Sequence, residues 1–218
     1  MTLADDQLTV APLPVGARAV VLMLHGGAEQ GPEEIDGRSL AFRRTRWMRD
    51  AISGRLARAG VGTALLRFSV KGWNATGGTP SPVVDARAAL DRLRIEYDGL
   101  PVVLLGHSMG ARTAAWVADD PDVVGVVGLA PWLPPDDPVT ALAGKRLVAA
   151  HGRRDRITSP RATERYVRRA AVVAESARFV DMGGLGHYML TGVRRWNATA
   201  VTETLGLLDR VSGITSPK

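Results

Sequence analysis

Apolar and polar residues along this chain alternate in blocks rather than position by position. Continuous apolar runs occur at 19–25 (AVVLMLH), 60–68 (GVGTALLRF), 101–108 (PVVLLGHS), 123–132 (VVGVVGLAPW), 146–152 (RLVAAHG) and 176–182 (SARFVDM). Unbroken Val, Leu and Ala runs of this length are what strands buried on both faces require, whereas a strand with one wet face alternates. Between them lie stretches with helical spacing: Trp47–Ala59, Val83–Tyr97, a helix from the third strand to about Asp119, Arg161–Val173 and Trp196–Val211. LTVAP (8–12) is a candidate edge strand, and KGWNATGGTPSP (71–82) is a Gly- and Pro-rich loop. Alternating strands and helices with short connections predict right-handed crossovers, hence an α/β fold with a mostly parallel central sheet and helices on both faces.

In such a sheet, ligands bind beyond the carboxyl ends of the strands. The residues just past each apolar run are therefore the ones to inspect. They are His25-Gly26-Gly27-Ala28, Gly106-His107-Ser108-Met109-Gly110, His151-Gly152-Arg153-Arg154-Asp155 and Gly183-Gly184-Leu185-Gly186-His187. All four histidines of the chain fall in these four places, each beside a glycine.

Ser108 lies between an apolar strand and a helix-forming stretch, with glycine two residues before and two after. A tight strand-to-helix turn projects such a serine from the sheet edge, and side chains at the flanking positions would collide. A serine hydroxyl becomes a nucleophile only when a base takes its proton and an acid orients the base. The chain order Ser108, Asp155, His187 fits that need. Asp136 and Asp137 are the rival orienting acids, and Asp181 is a weaker one. The oxyanion of an acyl-transfer intermediate needs preorganised donors. The backbone N–H of Met109 is one candidate, and that of Gly27 is the other, with Ala28 as its alternative. His25, His107 and His151 are assigned to packing and loop scaffolding.

These pieces together resemble the α/β-hydrolase superfamily: HGG at 25–27, GHSMG at 106–110, HGRRD at 151–155 and GLGH at 184–187. The finer resemblance is to small members without a cap domain, the dienelactone-hydrolase-like group and short bacterial esterases. Dienelactone hydrolases use a cysteine nucleophile, and this chain has no cysteine. Many relatives insert a helical cap where this chain has only PWLPPDDPVTALAG (131–144), which implies an open site and a substrate whose bulk protrudes. Trp73, Trp132 and Tyr188 are the candidates to line its acyl side.

The resemblance implies a serine hydrolase acting on a small-molecule acyl ester or thioester without a cofactor. An amidase, peptidase or C–C hydrolase would use the same three residues, and a non-catalytic binding protein could retain them.

Composition narrows the remaining classes. The 218 residues suit one domain over 1–218 with a tail at about 212–218, and no run approaches the roughly 18 apolar residues of a membrane span. The acidic start MTLADDQLTV lacks the basic and apolar regions of a signal peptide, and the absence of cysteine fits a reducing cytoplasm. The four histidines lack metal-ligand spacing, so no metal is expected. The net charge of +6 comes mostly from arginine clusters at 43–46, 153–156, 165–169 and 194–195. They carry no aromatic-interleaved basic motif, so they read as solvated and acid-paired surface and not as a nucleic-acid site.

Overall fold

The computed structural model describes residues 3–75 and 78–212. The expected tail lies, beyond Ser212, outside the described residues. The chain runs β1 (Leu8–Val10), β2 (Ala19–Leu24), α1 (Leu40–Ala57), β3 (Val61–Leu66), α2 (Ser81–Glu96), β4 (Val102–His107), α3 (Met109–Trp116), β5 (Val123–Leu129), β6 (Arg146–His151), α4 (Pro160–Ala170), β7 (Ser176–Asp181) and α5 (Val193–Ser212). The seven strands form one sheet in the order β1-β3-β2-β4-β5-β6-β7. Every pair is parallel except β1 with β3, so the N-terminal segment does cap one edge, in antiparallel register.

The reason for the continuous apolar runs is visible in the burial. Every residue of β2, β3, β4 and β6 is buried, because helices cover both faces. Right-handed crossovers place them. The chain moves outward from β2 to β3 through α1, then reverses to β4 and β5 through α2 and α3, which puts α1 on one face and α2 and α3 on the other. Accordingly α1 packs on α5, and α2 packs on α3. The reversal opens a crevice between the carboxyl ends of β2 and β4. Leu24 pairs with Gly106 there, so His25-Gly26-Gly27 and His107-Ser108 emerge side by side.

The largest boundary difference is in α1, which begins at Leu40 rather than Trp47. Its core stripe is Phe42, Thr45, Met48, Ile52 and Leu56, with Arg44 buried beside it. A threonine and an arginine on the inward face hide the first two turns from an apolar-periodicity reading. α3 ends at Trp116, three residues short of the expected end, ahead of Asp119-Asp120-Pro121.

Between β5 and β6 there is one short 3-10 turn, Thr140–Leu142, and no cap domain among the described residues. No helix among the described residues is long and apolar enough to cross a membrane. Within the arginine clusters Arg153 pairs with Asp181 and Arg168 with Glu164, and outside them Arg87 pairs with Asp119. Exposed pairs of this kind add little stability individually.

Candidate active site

Ser108 caps α3 with φ 52° and ψ −116°, a backbone region costly for any residue with a Cβ. The turn is held from several sides. Ser108 N–H donates to Leu129 O at 3.1 Å, and Ser108 O accepts from Ala111 N, Arg112 N and Trp132 N at 3.1, 3.3 and 3.2 Å. The two flanking glycines are needed for distinct reasons. A Cβ on Gly106 would run into the backbone of Gly110 and Ala111, and one on Gly110 into the carbonyls of Leu24 and His25. Gly110→Ala forces β2 and α3 apart and is expected to cost about 3 kcal/mol. In a chain of this size that is a fall in Tm of roughly 6–12 °C, readable by differential scanning calorimetry; an unchanged Tm would contradict the close approach.

Asp155 and His187 meet directly. His187 Nδ1 donates to Asp155 Oδ2 at 2.8 Å. Four further donors converge on the same carboxylate. Its Oδ1 accepts the N–H groups of Ile157 and Thr158 at 2.8 and 2.9 Å. Its Oδ2 also accepts from His151 Nε2 at 2.9 Å and from the Thr158 hydroxyl at 3.0 Å. Burial alone would push this carboxyl up, but the bonds from His151, His187 and Thr158 outweigh it and hold it well below the usual carboxylate range. With Nδ1 of His187 turned to Asp155, its Nε2 is the nitrogen left to accept a proton. The rival acids are engaged elsewhere: Asp137 with Arg112, and Asp181 with Arg153 and Gly183 N–H. Asp136 is exposed.

The other histidines brace this arrangement. His107 Nε2 donates to the His187 carbonyl at 3.0 Å, fixing the backbone of the loop that carries His187. His25 Nδ1 donates to Gly26 O at 2.6 Å while its Nε2 accepts Phe68 N–H at 3.1 Å, which holds the loop after β2. Burial lowers the pKa of His25 to about 4; for His107, burial and then the neighbouring His187 lower it to about 3. Both are therefore neutral when folded, and an unfolded histidine titrates near 6.5. Between those limits the unfolded chain binds protons that the folded chain refuses, so stability falls as pH drops below about 6.5. Each group contributes about 2 kcal/mol of loss between pH 7 and pH 5, read from urea midpoints at the two pH values. Equal stability at both would contradict the two neutral imidazoles.

Ser108 and His187 open onto one cavity of about 340 Å³, lined also by Gly26, Gly27, Leu40, Ala41, Arg44, Trp47, His107, Tyr188 and Leu190. Leu40, Trp47, Tyr188 and Leu190 are large apolar side chains left exposed around it, an arrangement typical of a binding surface. Gly26 lies against the nucleophile turn: a Cβ there would sit 3.4 Å from Ser108 Cβ. Ala28 N–H is taken by Lys71 O at 2.9 Å, whereas no hydrogen bond among the described residues takes up the N–H of Gly27 or Met109.

Of the three side chains expected on the acyl side, only Tyr188 lines this cavity. Trp73 and Trp132 instead pack on the Arg112 guanidinium from two sides of a corner, at 4.0 and 4.3 Å from the ring centroids with the rings at 75° to each other. Arg112 also holds both oxygens of Asp137 at 2.6 Å. The stack ties the loops after β3 and β5 to α3, directly behind Ser108. Their assignment from loop position alone had no way to see the buried arginine between them. Trp47 and Leu190 also line the cavity, although helical spacing gives Trp47 only as the first residue of a helix and no sequence motif marks Leu190. Thr158 was missed too, although Asp155 followed by Ile157-Thr158-Ser159-Pro160 is an Asx-turn pattern that leads into a capped helix.

Comparison with known proteins agrees with this architecture. A lidless α/β serine hydrolase from Xanthomonas campestris superposes with a TM-score of 0.62 at 16% identity, covering 88% of this chain and 84% of that one. The chain has the α/β-hydrolase fold, without a lid among the described residues. A thermophilic esterase from Thermogutta terrifontis, solved with propionate bound, matches with a TM-score of 0.71 at 16% identity over 97% of this chain and 91% of that one. A monoacylglycerol lipase from Paleococcus ferrophilus matches with 0.63 at 16% identity over 92% and 99%. The sequence profile described as serine aminopeptidase, S33, matches residues 78–150 of this chain, which include β4, the Ser108 turn and α3. No curated protein matches the sequence.

Proposed function

We propose that this α/β hydrolase is a serine hydrolase that cleaves carboxylic esters or thioesters through an acyl-enzyme on Ser108. The observation that carries the reading is the 2.8 Å bond from His187 Nδ1 to a carboxylate fixed by four other donors, on the cavity into which the strained Ser108 opens. In the first step His187 Nε2 takes the Ser108 proton as Oγ bonds to the acyl carbon. The Gly27 and Met109 N–H groups receive the oxyanion. The bond to the leaving oxygen or sulfur then breaks, and the imidazolium returns its proton to the leaving group. Water repeats the sequence on the acyl-enzyme, releasing the acid and restoring Ser108. Asp155 keeps its charge throughout and stabilises the imidazolium.

The esterase and lipase relatives favour esters. An aminopeptidase has to seat a free ammonium beside the scissile bond. The cavity lining here contains no carboxylate and does contain Arg44, which would repel an ammonium.

The test is turnover of 4-nitrophenyl esters and acyl thioesters of increasing chain length, beside amino-acid 4-nitroanilides. The reading expects ester or thioester turnover that a fluorophosphonate abolishes. Turnover of the anilides alone would overturn it.

A further inference from the structure

Arg44 is a charge in the wall of the Ser108 cavity with no counter-charge. Three arginines are buried among the described residues, Arg44, Arg112 and Arg146. Arg112 is paired with Asp137, and Arg146 with Glu175. Arg44 has no carboxylate within 4.0 Å among the described residues. It donates from Nε to Tyr188 O at 3.3 Å and from Nη2 to Met189 O at 2.7 Å. Carbonyls satisfy N–H groups but do not neutralise a guanidinium. Its Nη1 makes no hydrogen bond among the described residues, yet is not one of the occluded side-chain atoms left without a partner. Its free N–H groups therefore reach accessible space, and the space that Arg44 lines is the cavity shared by Ser108 and His187.

Nothing else in that lining offsets the charge: the remaining members are apolar, backbone, or the Ser108, His107 and His187 side chains. Apolar walls strengthen the field, because little solvent screens it. Burial pushes the Arg44 pKa down, the sign of a cation held at a desolvation cost. Such a cost is offset when a ligand supplies the missing anion, and planar guanidinium N–H groups suit a carboxylate.

We propose that the substrate of this site is an anionic ester or thioester, carrying a carboxylate on the part that enters the cavity, where Arg44 binds it while Ser108 attacks the ester carbon. The inference rests on the hydrolase reading above and names its substrate class. A neutral ester of the same shape leaves the guanidinium unpaired and is discriminated against.

The test compares kcat/KM for 4-nitrophenyl half-esters of succinate, glutarate and adipate with the neutral 4-nitrophenyl esters of matched chain length. A second arm compares 3-acetoxybenzoate with phenyl acetate, which moves the carboxylate to the leaving group. Each ratio is taken within wild type, Arg44→Lys and Arg44→Gln. Any disturbance of the Tyr188–Met189 backbone affects both substrates of a pair and cancels. The expected anionic-to-neutral ratio in at least one pair is about 10- to 100-fold in wild type, partly kept by R44K and lost in R44Q. Ratios at or below one in every pair, or equal ratios in wild type and R44Q, overturn the proposal. Calorimetry of glutarate and adipate with Ser108→Ala, alone and combined with R44Q, separates the two readings. Turnover of neutral esters with no dicarboxylate binding overturns the anion site alone. Dicarboxylate binding that depends on Arg44, with no ester turned over, overturns the hydrolase reading and supports the anion site.

Discussion

Ser108→Ala is expected to lower kcat/KM for a 4-nitrophenyl ester by about 10⁴- to 10⁶-fold, with almost no change in Tm. The attacking atom is lost, while the cavity, His187 and its carboxylate stay in place. Stability should hold because alanine keeps the Cβ, so the φ of 52° remains as strained as before. Ser108→Gly separates the two effects further. It removes the same hydroxyl but relieves about 1–3 kcal/mol of strain, less roughly 0.4–1 kcal/mol for glycine's freedom in the unfolded chain, so it should be equally inactive and more stable by about 0.5–2 kcal/mol. Paired thermal melts and initial rates on the three proteins check both. An S108G protein no more stable than wild type would show that the turn stores no strain. Residual S108A activity near wild type would move the nucleophile elsewhere.

Asp155→Asn should be the second large loss, about 10⁴-fold in kcat. Five donors converge on the two carboxylate oxygens: His187, His151, the Thr158 hydroxyl, and the N–H groups of Ile157 and Thr158. An asparagine offers one oxygen and one NH₂. If the oxygen keeps the backbone N–H groups, the NH₂ faces the two imidazoles and drives His187 to the tautomer whose Nε2 is protonated, which cannot accept from Ser108. If the amide flips, the Asx-turn after residue 155 loses its acceptor. Either way a buried donor loses its partner, at about 1–3 kcal/mol each, so Tm should fall as well. Assays well below the lowered Tm keep the catalytic loss distinct from unfolding. His151→Leu is the useful companion: it removes one donor to Asp155 without touching His187 and should cost far less activity than D155N. Equal losses would place the two histidines on the same footing and undo the assignment of His187 as the base.

The inner strands were legible because both faces of the sheet are covered there, so β2 to β6 are almost wholly buried, whereas the edge strand β7 is not. Strand ends then pointed to the glycine-flanked histidines and to Ser108, and the fold brings all of these to one edge of the sheet. Nothing in periodicity told where the strands sit relative to one another. That order, with β2 and β4 adjacent, is what seats Gly26 against Ser108. The misses share one physical cause. A buried arginine looks like surface in sequence, and this fold buries two at decisive places. Arg44 hid the start of α1 and was read as part of a solvated cluster, although it lines the cavity. Arg112 draws in Trp73 from the loop after β3 and Trp132 and Asp137 from the loop after β5, leaving the cavity to Trp47, Tyr188, Leu40 and Leu190. Thr158 could have been found from the turn that follows Asp155, because its hydroxyl and its N–H belong to the same motif.

The central claim is that Ser108 is activated by His187. The most direct measurement is labelling with a fluorophosphonate, followed by peptide mapping of the adduct, in wild type, S108A and His187→Ala. The account predicts one adduct, on Ser108, formed in wild type and slowed by several orders of magnitude in H187A. Labelling of another serine, or labelling of Ser108 at the same rate without His187, would contradict it.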